Sequence, residues 1–77
     1  MPGLPRGLMP QDVIRAFEQA GGRTRAGRGS HVNIKMPNGQ LITIPFHGEV
    51  KVGLLGAALR KAGLSAADFL RLLGRET

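Results

Sequence analysis

The chain has 77 residues, a formal net charge of +6 from eleven Lys+Arg against five Asp+Glu, and no cysteine. That length allows one domain with a single thin core, which helices on one face of a small sheet would use economically. The missing thiols exclude a disulfide scaffold, a thiolate zinc site and a nucleophilic cysteine, and two histidines argue against a closed structural zinc site.

Residues 1–9 read as a loose Pro/Gly arm without the apolar core of a secretory leader, and no apolar run in the chain approaches bilayer-spanning length. No membrane partner is therefore expected, and a chain without cysteine suits the cytoplasm. A single domain is expected over residues 10–74. Pro10 suits the first turn of a helix, Val13, Ile14, Phe17 and Ala20 follow at helical spacing, and Gly21-Gly22 stops it, which predicts an amphipathic helix over 10–20. The stretch 23–27 alternates, with Arg23 and Arg25 on one face of a first strand, and Gly27-Arg28-Gly29 links it onward. Residues 31–36 and 42–46 alternate strictly around Pro37-Asn38-Gly39, a hairpin signal.

The register of that hairpin follows from its faces. A two-residue Asn-Gly turn sets Ile34 opposite Thr43 and Asn33 opposite Ile44, mixing polar with apolar. A three-residue turn with Gly39 left-handed pairs Met36 with Gln40, sets Ile34 against Ile42, Val32 against Ile44 and Ser30 against Phe46, and gathers every apolar side chain on one face. The second register is predicted. It leaves His31, Asn33, Lys35, Thr43 and His47 on the open face, with the two imidazoles as diagonal neighbours and Arg23 and Arg25 extending the surface. Beyond a loop over 47–52, Gly53 opens a helix with Leu54, Leu55, Ala58, Leu59 and Ala62 as its buried stripe, and Gly63 ends it. Ser65 with Asp68 then forms a variant capping box before a last short helix carrying Phe69, Leu70, Leu72 and Leu73.

Eight of the eleven basic residues are Arg, whose planar fork suits phosphate, so polyanions are the natural partners. RNA carries its own nucleophile, a 2′-hydroxyl next to the phosphate. Cleaving it requires a proton acceptor, a proton donor and cations, roles that His with Arg and Lys fill near neutral pH without a metal. Rival chemistries are poorly supplied. Asp12, Glu18, Glu49, Asp68 and Glu76 are scattered, a serine triad on Ser30 or Ser65 would lack shelter in so thin a domain, and no Walker-type loop is present. Taken by composition alone, His31 is an ordinary surface histidine, and Arg23, Arg25 and Arg28 fit a solvated cationic strand as well as a phosphate site.

The ordered series resembles the HicA family. It comprises a first helix ending in Gly21-Gly22, a basic stretch into Gly29-Ser30-His31, the Pro37-Asn38-Gly39 turn, Ile42-Thr43-Ile44-Pro45 with His47 beyond, then Gly53, Leu55, Leu59, Ala62-Gly63-Leu64 and Phe69. The resemblance implies an α+β fold like the double-stranded RNA-binding domain, with a helix, a three-stranded antiparallel sheet and one or two C-terminal helices on one sheet face. It implies a toxin that cleaves messenger RNA without metal or other cofactor, His31 as the catalytic residue, and a HicB-type antitoxin that covers the active site. Ser30, Arg23, Arg25, Arg28, Lys35, His47 and Lys51 are the expected substrate contacts. The series departs from the family pattern at Val32, Leu54 and Gly56, so the basic residues flanking the second helix are Lys51, Arg60 and Lys61. A non-catalytic RNA-binding module is the alternative reading, although the Lys-rich start of the last helix usual in such modules is missing from 65–68. A third reading is a basic protein that binds only an acidic partner protein.

Overall fold

A computed structural model of the chain describes residues 3–26 and 29–74. The first helix, α1 (Pro10–Gln19), starts with Pro10 in its first turn and buries Val13, Ile14, Ala16 and Phe17 along one face. It is one residue shorter than predicted because Ala20 caps it. The glycine pair that follows does two different jobs. Gly21 takes a left-handed φ of 98°, the conformation that lets the chain leave the helix. Gly22 does not; it is a place of close approach, where a Cβ would lie 2.6 Å from Ile34 Cγ2 and 2.9 Å from the Phe17 carbonyl oxygen.

Three strands follow: β1 (Arg23–Ala26), β2 (His31–Lys35) and β3 (Leu41–Pro45), antiparallel in the order β1-β2-β3. The hairpin has the predicted register, with Ile34 against Ile42 and Val32 against Ile44. Its three-residue turn is closed by the Met36 N–H donating to the Gln40 carbonyl at 2.8 Å and the Gly39 N–H donating to Met36 at 2.9 Å, with Gly39 at φ 88°. The Asn38 side chain braces the turn, accepting from the Gln40 N–H and donating to the Lys61 carbonyl, each at 3.0 Å. Ile34, Ile42 and Ile44 enter the core, and the opposite-facing His31, Lys35, Leu41 and Thr43 are exposed. The strand ends differ from the alternation pattern. Met36 leaves the strand for the turn yet stays buried, whereas Phe46, expected on the buried face, is 47% exposed because the strand and its core face stop at Pro45.

Helix α2 (Val52–Ala62) begins one residue before Gly53, with Lys51 as its N-cap, and buries Leu55, Ala58, Leu59 and Ala62. Leu54, expected in the buried stripe, is only half-buried. Helix α3 (Ala66–Leu73) carries the predicted capping box: the Asp68 N–H donates to Ser65 Oγ at 3.0 Å, and the Ser65 N–H donates to the Asp68 carboxylate at 3.2 Å. That backbone bond, with the Ser65 hydroxyl and Arg71 beside it, holds the exposed Asp68 carboxyl below its ordinary value of 3.8. Phe69 closes the core against Phe17, ring centroids 6.1 Å apart.

The segment expected as a loose arm is tied down at its far end. Leu8 is 2% exposed, makes an antiparallel bridge with Val50 through a 2.7 Å backbone bond, and has Leu4 packed nearby against the same core. The architecture is α+β, a helix, a three-stranded antiparallel sheet and two further helices sharing one core, in the layout of a double-stranded RNA-binding-domain-like fold. With all the buried apolar side chains on one side, the sheet is left with an uncovered face.

Candidate active site

Strand pairing decides which side chains share the uncovered face. Asn33 lies opposite Arg25 on one side and Thr43 on the other, Lys35 lies opposite Arg23 and Leu41, and His31 lies opposite Pro45. Directly paired and alternate residues point the same way, so His31, Asn33, Lys35, Arg23, Arg25, Leu41 and Thr43 form one surface. Thr24 shows the converse: its hydroxyl donates to Glu18 of α1 at 2.6 Å, which places it on the helix side and its two Arg neighbours on the open side. Arg25 stands diagonally across the β1–β2 ladder from His31, a spacing of about 7–8 Å that a long Arg side chain spans.

His31 is the first residue of β2 and is exposed. The chain reaches it through Gly29, at φ 59°, and exposed Ser30, whose carbonyl accepts the Phe46 N–H at 2.5 Å. That bond extends the ladder one rung past the strand and fixes the backbone entering His31. Behind it, Thr43 Oγ1 donates to Asn33 Oδ1 at 2.8 Å. The amide oxygen is thereby engaged, and Asn33 keeps its N–H groups as donors on the face. The ion pairs among the described residues, Arg15 with Asp12 and Arg71 with Asp68, both lie on helices. No described carboxylate therefore forms an ion pair with Arg23, Arg25 or Lys35, and these cations give the surface a positive potential for an anion.

The expected site residues divide into two groups. Strand pairing gathers His31, Arg23, Arg25 and Lys35 with Ser30 at their edge. His47 lies beyond β3, which ends at Pro45, in an exposed bend beside Gly48, so strand alternation no longer assigns it to a face. Lys51 is exposed at the N-terminus of α2, outside the sheet. Arg28 lies outside the described residues. Leu41 was missed: 42% exposed beside Lys35, it belongs to the same face. Pairing Met36 with Gln40 already implies Lys35 with Leu41, so the signal was present in the register.

Among the described residues no three of His, Cys, Asp or Glu gather closely enough to hold a metal ion, and no described helix is long and apolar enough to cross a membrane. What the face offers is one imidazole, three cations and an amide donor set around open space. No curated protein matches the chain. The family model for the HicA toxin of bacterial toxin–antitoxin pairs matches residues 10–64, well over half its length, and the chain belongs to that family.

Proposed function

We propose that this protein is an endoribonuclease toxin that cleaves messenger RNA in the cytoplasm, independently of metal, with His31 as general acid and base, and that a HicB-type antitoxin holds it inactive. The observation that carries the reading is the exposed imidazole of His31 on the same uncovered sheet face as Arg23, Arg25 and Lys35, in a chain of the HicA toxin family.

The chemistry is a transesterification within the substrate. Arg25 and its neighbours seat the scissile phosphate and offset the charge that builds on its oxygens. Neutral His31 takes the proton from the 2′-hydroxyl, the oxygen attacks phosphorus, and the bond to the 5′-oxygen breaks. The leaving oxygen takes a proton, returned by His31 or delivered by water or His47. The products are a cyclic phosphate and a 5′-hydroxyl, with no external nucleophile or redox partner consumed.

Incubating purified protein with a defined labelled RNA in chelator tests this. Expected are discrete fragments ending in cyclic phosphate. Full binding without any product would replace the enzyme by the RNA-binding module.

A further inference from the structure

The two edges of the sheet are treated differently. β1 is covered by charge and by a side-chain bond to α1: it carries Arg23 and Arg25, and Thr24 bonds to Glu18. β3 is the other edge, and no described strand lies beyond it. The turn and end bonds direct the Gln40 carbonyl and the Phe46 N–H toward β2 and the residues flanking it, and the antiparallel alternation then turns the backbone groups of Leu41 and Thr43 outward. Pro45, without an N–H, marks where further pairing stops. Next to this edge lies a groove of about 250 Å³ between β3 and α2, lined by Leu41, Thr43, Leu54, Ala57, Ala58 and Lys61. Its floor is apolar and no Asp or Glu lines it. Lys61 stands on one rim and Lys35, paired with Leu41, on the open-face side. An exposed edge strand is a liability that folded proteins usually suppress; here Pro45 blunts only the far end and leaves Leu41 and Thr43 open.

We infer that the β3 edge and its groove are a docking surface for an extended, acidic segment of a partner protein, which adds to the sheet as a fourth strand. Backbone N–H and C=O groups of Leu41 and Thr43 hold its main chain, the groove takes an apolar side chain of the segment, and Lys61 and Lys35 select acidic flanks. The net charge of +6 favours the same partner at long range. A strand added here also lies alongside the open face, at its Thr43 margin. The inference rests on the toxin–antitoxin reading only for the existence of a protein partner.

The probe is a short synthetic peptide alternating Glu with Val, compared with one alternating Lys with Val, while amide exchange and chemical shifts are followed in the full chain. Saturable slowing of exchange at Leu41 and Thr43 by the acidic peptide alone is expected, with affinity falling about tenfold or more in Ala57→Glu, which places a carboxylate on the exposed groove wall. Unchanged spectra away from the groove verify that this variant folds. Absence of slowing overturns the inference, as do shifts confined to Arg23, Arg25 and Lys35, which would report charge contact on the nucleic-acid face. Slowing at Leu41 and Thr43 that grows with protein concentration without peptide also overturns it, in favour of pairing between copies. RNA cleavage by the peptide-free protein is measured in parallel: cleavage without edge protection sinks the docking surface alone, and edge protection without cleavage sinks the nuclease reading alone.

Discussion

At His31 the sequence and the structure meet most directly. Its side chain lies outside the core, so His31→Ala removes the proposed proton-transfer group at little expense to folding. Cleavage is expected to fall by about 10²- to 10⁴-fold, the usual worth of one general acid or base, with the unfolding free energy within about 0.5 kcal/mol of wild type, as for surface substitutions. Single-turnover cleavage beside urea unfolding checks both halves; a variant that unfolds while losing activity would make the histidine structural. The position of His31 was legible because a strand with one buried face assigns every residue to a side, and Ile34 assigns this one. His47 was not, because alternation is informative only while the strand lasts, and β3 ends at Pro45, two residues short of it.

Among the elements, the hairpin was the most legible, since one register alone puts Ile34, Ile42 and Ile44 together, and that pairing is the one found. The end of α1 was half legible. A glycine pair marks a helix stop, but only the packed structure distinguishes Gly21, needed for its φ, from Gly22, needed for its missing Cβ. Gly22→Ala should therefore destabilise by about 1–3 kcal/mol, the range for forcing atoms into a filled core, whereas alanine at Gly53, where a Cβ meets nothing within 4 Å, should be neutral or stabilising; urea midpoints decide it. Helix α3 gives a pH signature. The folded Asp68 carboxyl titrates below its ordinary value because its hydrogen bonds with Ser65 favour the charged form. A depressed folded value means that the stabilisation is complete above the unfolded value and disappears as pH falls through the folded one. Amide exchange in α3 should accelerate with acid across that window in wild type, and Asp68→Asn should remove the dependence.

For the whole molecule, the core is small enough that segments outside the regular elements matter. Nothing in the composition of residues 1–9 distinguishes Leu8 from its neighbours, since a single apolar residue has no period and its partner Val50 is far along the chain. Its burial makes Leu8→Ala expected to cost about 2–5 kcal/mol, the range for an emptied core position, a large share of the 5–15 kcal/mol that holds an ordinary domain folded; calorimetry should register it as a clear fall in Tm. Charge acts over the same scale. If the open face seats RNA, Arg23, Arg25 and Lys35 each displace counterions from it, and log affinity falls linearly with log salt by about 0.7 per single-strand phosphate contact. The triple variant Arg23→Gln, Arg25→Gln, Lys35→Gln should then flatten that slope by about 2, whereas replacing Arg15 and Arg71, already paired with Asp12 and Asp68 on the helices, should leave it unchanged. Equal slopes in both variants would mean that the protein attracts RNA through its net charge alone and that the sheet is not where the strand lies. A slope lost only with the sheet cations places the phosphate backbone beside His31, where the proposed mechanism requires the proton to move.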